Sequence, residues 1–562
     1  MEKDYKVSRV NAEKYLDLAQ RKKDEGDLIG ALGLTFTALN AEHSFISKSQ
    51  IYRFLAQTYY QLSEFESSIK YWFKYLSCTG DNVIEAYEGL IANYMSLGDL
   101  LLAGYYFDSL VKIDDSLVQG EVGNAFAQEY MTTVNNKDDY FVAYPQKDVD
   151  YNAMEQRARK ATITNDLNTA IKIYQSIPFD KISDKAIDDL TLTCSITKKL
   201  DVALEVCKNV IKVRPNDLTA LCNICFIYNV KKDREKEAFY YGLAKSAFTK
   251  SEDDCYAILD CAIEMRDNEF VILCVERVLK NKPDRAHLYY PYAIALANVG
   301  EYEKSYKYFN KLCKLFPYED VYRYQANYIL NVIREGYDKE GLLPFGYKQR
   351  LPKPIEEGYR QRVKELFDDL NKVNAPTKKA ENQKILKWAL YQEGIITTNN
   401  AVLILCTTSA KWAKQMLFEA LTDYDLSGEV KEKIIYSLIL SGYRGEFKVV
   451  AGGLYMAVKG GRIPFEDKPN GLLFVQGYAY ALSKAVFFNV NDSKKLIKSA
   501  NKVYEALYLD AKEINLEQRE IAGLILRFAN IKSVSNVAGD VFDLDKERYG
   551  RLSALVLGEK DD

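Results

Sequence analysis

AHLYYPYAIALANVGEYEKSYKYFNKLCKLFPYED, residues 286–320, decides how this chain is read. Tyr289, Tyr292, Ala293 and Leu296 recur at helical spacing. Gly300-Glu301-Tyr302 then makes a turn, and Ser305, Tyr306, Phe309, Leu312 and Cys313 resume the period on a second helix. Ala293 and Ser305 fall where the two helices cross closest, a place only small side chains fit. Gly300 stands where the first helix stops, and positive φ is cheap there for glycine alone. Pro317 cannot continue a helix and ends the second one. The stretch predicts a helical hairpin.

Outward from it the same frame recurs. Tyr15, Leu18 and Ala19 precede Gly26-Asp27, with Ala31, Leu32, Ala38 and Leu39 after the turn. Tyr52, Leu55, Ala56 and Tyr59 are followed by Phe65, Ser68, Ile69 and Leu76, and Tyr87, Leu90 and Tyr94 by Gly98-Asp99, Ala103, Phe107 and Leu110. Further units begin at Met154 and Ile187, a looser one holds Leu221 to Ala238, and another ends in Leu279 and Pro283. About eight hairpins in one frame cover most of residues 10–320, a period of about 34 residues.

This pattern resembles the tetratricopeptide repeat family in the form bacterial proteins carry. The resemblance implies an all-α fold, a right-handed α-α superhelical solenoid whose first helices line a concave groove for peptides or partner helices. It implies a protein-protein interaction scaffold or adaptor rather than an enzyme. Carried over by frame, the groove positions are Arg53, Gln57 and Tyr60, Glu88, Arg159, Phe226 and Asn229, Tyr256, and Tyr290 with Asn298. The subfamily that clamps acidic chaperone tails uses basic and asparagine side chains; here the matching positions are Leu16, Gln20, Gln57, Glu88 and Ala92, which cannot form that clamp.

The register breaks after Asp115. The expected organisation is an N-terminal block at 1–114, a spacer helix and polar loop at 115–150, a second block at 151–333, a linker at 334–355 marked by Pro344, Pro352 and Pro354, and a mostly helical domain at 356–562. In that last domain helical periodicity is read at 356–370, 383–393, 472–487, 492–509 and 516–530. Residues 411–421 and 430–440 read as a HEAT-like pair. Around Gly452-Gly453, two short apolar runs at 447–458 predict a β-hairpin. Residues 533–552 place Val534, Val537, Ala538, Phe542, Leu544 and Tyr549 near the apolar positions of a helix-turn-helix DNA reader. Asp545 and Glu547 offset Lys546, Arg548 and Arg551 there, so two short capping helices are the preferred reading and DNA regulation the alternative.

Composition narrows the chemistry. With 76 basic and 79 acidic residues in 562, the net charge of -3 gives no basic excess for nucleic acid. No apolar run reaches membrane-span length, which predicts no membrane insertion. The ten cysteines, scattered through helical patterns, predict reduced thiols and a cytoplasmic location. Cys222 and Cys225, with Cys255 and Cys261 a repeat later, read as buried small hydrophobes rather than a zinc set. Only two histidines occur, His43 and His287. No phosphate-binding glycine loop is present. No catalytic residue, cofactor or metal is expected. An unrecognised enzymatic site at 356–530 is the further alternative, and self-association through the solenoid edges stays open.

Overall fold

The computed structural model describes residues 12–41, 48–78, 83–113, 151–163, 166–336, 346–392, 395–490, 493–509, 511, 513–531, 535 and 538–558. The expected spacer helix and loop within 115–150, His43, Pro344, Val534 and Val537 lie outside them. The fold is all-α, an array of helical hairpins followed by a mostly helical unit with a two-stranded hairpin. No helix among the described residues is long and apolar enough to cross a membrane. The chain groups into a repeat unit, residues 1–68 with 87–351, and a second unit, residues 69–86 with 352–562.

The helices in the first part of the chain are α1 (Ala12–Asp24), α2 (Leu28–Asn40), α3 (Lys48–Gln61), α4 (Phe65–Cys78), α5 (Ile84–Leu97) and α6 (Leu100–Val111). They continue with α7 (Tyr151–Ile163), α8 (Leu167–Ser176), α9 (Asp184–Ile196), α10 (Leu200–Val213), α11 (Leu218–Val230) and α12 (Arg234–Ala247). The last five are α13 (Glu252–Glu264), α14 (Asn268–Asn281), α15 (Tyr289–Asn298), α16 (Tyr302–Leu315) and α17 (Asp320–Glu335). Boundaries between the units fall within α4, within α5 and after Leu351.

One turn repeats through the array. Gly26, Gly98 and Gly300 hold positive φ between paired helices, and so do Ser63, Lys198, Lys232 and Arg266 at the same frame position. The next residue commonly caps the second helix: Asp27 accepts from Gly30 N at 2.9 Å, Asp99 from Leu102 N at 3.1 Å, Asp233 from Lys236 N at 3.3 Å and Asp267 from Phe270 N at 3.2 Å. Small residues mark the crossings. Ser305 Oγ donates to Ala293 O at 2.7 Å and Ser68 Oγ to Ala56 O at 2.8 Å, each across twelve residues. Ala19, Ala31, Ala158, Ala170 and Ala203 are fully buried at matching places. Each hairpin thus closes by local rules, and stacking completes its core.

Early hairpins also meet late ones. Tyr59 Oη donates to Leu315 O, the Tyr59 and Phe316 rings stack at 6.1 Å, and Phe36 meets Tyr318 edge-on at 5.7 Å.

The second unit adds α18 (Lys353–Asp368), α19 (Ala380–Leu390), α20 (Ile395–Thr407), α21 (Lys411–Leu421) and α22 (Gly428–Leu440). Strands β1 (Glu446–Ala451) and β2 (Leu454–Lys459) follow, then α23 (Gly471–Val486), α24 (Ser493–Leu507), α25 (Gln518–Phe528), α26 (Ala538–Val541) and α27 (Lys546–Leu557). The strands pair antiparallel from Glu446↔Lys459 to Ala451↔Leu454, turning through Gly452 and Gly453 at φ of 56° and 78°. Two positive φ values in a two-residue loop suit the twist of a hairpin, and glycine takes both without strain. Gly477 lets α23 lie on α25: a β-carbon there would stand 2.3 Å from Ile521 Cγ2.

The residues 69–86 bring a buried charge cluster into this unit. Lys70 Nζ lies 2.6 Å from Asp425 and 3.3 Å from Asp423, whose side chain is only 7% exposed. Tyr391 Oη donates to Asp423 Oδ2 at 2.8 Å. Lys431 donates to Val450 O at 2.8 Å, and burial pushes its amine down to about 8. Phe73 stacks on Tyr455 at 6.3 Å.

Candidate partner-binding face

Because successive first helices lie side by side, a side chain at one frame position can reach its counterpart in the next hairpin. Many predicted groove residues are engaged in this way. Arg159 on α7 pairs with Asp189 on α9 at 3.2 Å. Asp188 on α9 accepts from Asn223 on α11 at 2.6 Å. Asn229 on α11 donates to Glu237 at 2.8 Å and reaches Glu264 on α13 at 3.4 Å. Tyr256 on α13 stacks on His287 at 6.2 Å. Burial lowers the His287 pKa, with the Arg285 charge adding to it. Apart from the Asn229–Glu237 bond, which lies within one hairpin, these contacts join one hairpin to the next.

Other predicted residues sit differently. Arg53 and Tyr60 are exposed on α3, Gln57 beside them is half-buried, and Tyr60 contacts Phe65 at 5.6 Å. Glu88 is half-buried on α5. Tyr290 is 3% exposed, with its ring against Phe309 and Tyr322. It therefore offers an incoming partner little ring surface. Asn298 donates to Asn268 Oδ1 at 3.1 Å.

Phe226 is 45% exposed, and it has company that sequence reasoning passed over. Leu192 and Ile196 on α9 are 61% and 60% exposed, and Val230 on α11 is 47% exposed. Leu192 precedes Phe226 by 34 residues, and Ile196 precedes Val230 by the same 34, so each pair occupies one frame position in successive hairpins. Carboxylates follow in the next hairpin at those positions, Asp260 and Glu264 on α13. Burial, and then the neighbouring Cys261 and Glu264, raise the Asp260 pKa. The face therefore carries an apolar strip bordered by acids. Apolar residues on a helix face read as core, so the signal lay in their excess over what two-helix packing needs.

The repeat thiols singled out by spacing lie inside. Cys222, Cys225, Cys255 and Cys261 are buried, and Cys261 Sγ donates to Cys222 O at 3.6 Å. Hydrogen bonding with Cys261, then burial, keeps Cys222 and Cys225 protonated. Among the described residues no group of three or more His, Cys, Asp or Glu is placed to hold a metal.

At the chain's far end, α26 and α27 are two short helices joined through Asp543 at positive φ. Arg548 is committed inward: it pairs with Glu520 and donates to Ile514 O and Asn515 O at 3.0 Å. Tyr549 donates to Gly523 O at 2.9 Å. Lys546 and Arg551 remain exposed, the latter 3.7 Å from Glu547. This is the chemistry of a packed cap.

No family model matches the sequence, and no curated protein matches it. Among solved structures, the chain is similar to the crystal structure of yeast Tom70 at 10% sequence identity and a TM-score of 0.27, over 90% of this chain and 99% of that one.

Proposed function

We propose that the chain is a non-enzymatic, cytoplasmic scaffold of tetratricopeptide type, and that its first-helix face between α9 and α13 holds a protein partner. The observation that carries this is the exposed strip Leu192, Ile196, Phe226 and Val230, repeated in frame on adjacent hairpins. Water contact at four large apolar side chains is costly, and contiguous exposed apolar surface commonly marks an interaction site. The bordering carboxylates of Asp260 and Glu264 favour a segment with apolar anchors and basic neighbours.

The test is affinity capture from native lysate with full-length protein, against a variant carrying Ile196→Ser and Phe226→Ser. Ile196 is 60% and Phe226 45% exposed, so helicity is expected to hold and melting temperature to fall little. A specific partner captured at least about tenfold less by the variant supports the reading, since truncating interface anchors commonly costs more than 1 kcal/mol each. Equal capture by both proteins refutes this face as the site.

A further inference from the structure

The repeat unit ends on a short non-helical piece of chain, Gly346-Tyr347-Lys348-Gln349-Arg350-Leu351. It lies against Asn268, Tyr290 and Tyr322, of which Tyr290 is a groove-frame residue. Tyr290 Oη donates to the main-chain carbonyl of Lys348 at 3.1 Å and approaches that of Gly346 at 3.5 Å. Tyr347 Oη donates to Asn268 Oδ1 at 2.6 Å, the same oxygen that accepts from Asn298. Tyr322 Oη donates to Gln349 Oε1 at 3.3 Å, and Leu351 is 7% exposed.

Two kinds of recognition meet here. A hydroxyl aimed at main-chain carbonyls holds a peptide backbone whatever its side chains. Tyr347 and Gln349 flank Lys348 in a bent stretch that Arg350 N closes by donating to Lys348 O at 2.8 Å. Asn268 and Tyr322 each take one of them. Tyr290, expected from the sequence to meet a partner, thus already serves a segment of its own chain, and Asn298 shares an acceptor with that segment.

We propose that residues 346–351 act as a built-in occupant of a peptide site formed by α14, α15 and α17. The ligand class for that site is a short, bent peptide carrying tyrosine and, two residues on, a side-chain amide. The inference rests on the partner-binding reading above only in taking the first-helix face as a place where peptides sit. A tethered occupant competes at high effective concentration, so the site is closed to a free peptide until the strap leaves. Apparent affinity falls in proportion to the fraction of open molecules.

The probe is a fluorescein-labelled synthetic peptide of sequence GYKQRL, followed by anisotropy with full-length protein. Tyr347→Ala with Gln349→Ala opens the strap. The opened protein is expected to bind the peptide at least about tenfold more tightly than the unaltered one. Adding Tyr290→Phe and Tyr322→Phe to the opened protein is expected to remove about tenfold of that affinity, because two donors are lost while both rings keep their packing. Equal binding by opened and unaltered protein, no binding by a folded opened protein, or indifference to the hydroxyls overturns the proposal.

If the opened variant fails to fold, Tyr290→Phe alone decides. Amide exchange at 346–351 is expected to quicken several-fold, and unchanged exchange overturns the strap. Neither measurement uses lysate. A peptide bound by the opened protein, with no partner captured, supports the strap and removes only the scaffold reading.

Discussion

The repeat unit and the second unit spend polar side chains in opposite ways. In the repeats, one solution recurs: a left-handed turn residue, an aspartate cap, a small residue at the crossing. The second unit uses polar groups once each, as in the Lys70, Asp423 and Asp425 cluster and the Lys431 bond to Val450 O. A repeated device can vary in one copy while its neighbours hold. A single buried charge cluster has no second copy to share a loss.

The largest expected effect tests that contrast directly. Asp423→Ala leaves Lys70 with only the more exposed Asp425, and it removes the acceptor for Tyr391. Removing one partner of a buried pair is expected to cost about 3 kcal/mol. Asp233→Ala, which removes one exposed cap among several in the repeats, is expected to cost about 1 kcal/mol. Urea unfolding followed by circular dichroism compares the two, and equal costs would erase the distinction.

The next effect is a pH dependence inside the repeat unit. Glu64 has a carboxyl oxygen, Oε1, that is buried without a hydrogen-bond partner. Burial pushes its pKa up from 4.5 to about 7, against the lowering effect of the His287 backbone N–H. The folded state therefore binds this proton more tightly than the unfolded state, so stability from this group falls as pH rises from 4.5 to about 7. Glu64→Gln is expected to stabilise by roughly 2 kcal/mol at pH 8 and to be nearly neutral at pH 4. Thermal melts of both proteins at the two pH values measure it; a gain that does not depend on pH would point to packing instead.

The smallest effect sharpens the comparison from the repeat side. Lys198, Lys232 and Arg266 hold φ of 58°, 59° and 54° where other hairpins have glycine. Side chains with a β-carbon are strained there, while glycine loses more entropy on folding. Each change to glycine is expected to gain about 0.5 kcal/mol, and the three are expected to add because the sites are separate. Melting of the single and triple variants tests additivity.

Those three turns also mark where sequence reading stopped. Gly26, Gly98 and Gly300 announced their turns, whereas Lys198 and Arg266 look like ordinary solvated residues and reveal the same conformation only in the backbone. Hairpins were legible because their rules are local. Helix α20 was not foreseen: its sequence, IITTNNAVLILCT, mixes apolar and polar residues without a clear face. The hairpin β1–β2 was foreseen, since Gly452-Gly453 writes its turn into the sequence. Within the candidate face, Phe226 was legible by frame, and Leu192, Ile196 and Val230 were missed because apolar residues on a helix default to core. That Tyr290 would be covered could not be read, because the segment covering it lies 56 to 58 residues further on.

The bond from Tyr59 to Leu315 has a consequence for how the protein is made. It closes over 256 residues, whereas contacts in a repeat array are mostly between neighbours. At about 5–20 residues per second, synthesis separates the two partners by roughly 13 to 50 seconds. During that interval the surfaces of Phe36 and Tyr59 that meet Tyr318 and Phe316 face solvent on the growing chain. The N-terminal hairpins are thus born with an unfinished face, and they reach their final packing only after the last repeat has left the ribosome.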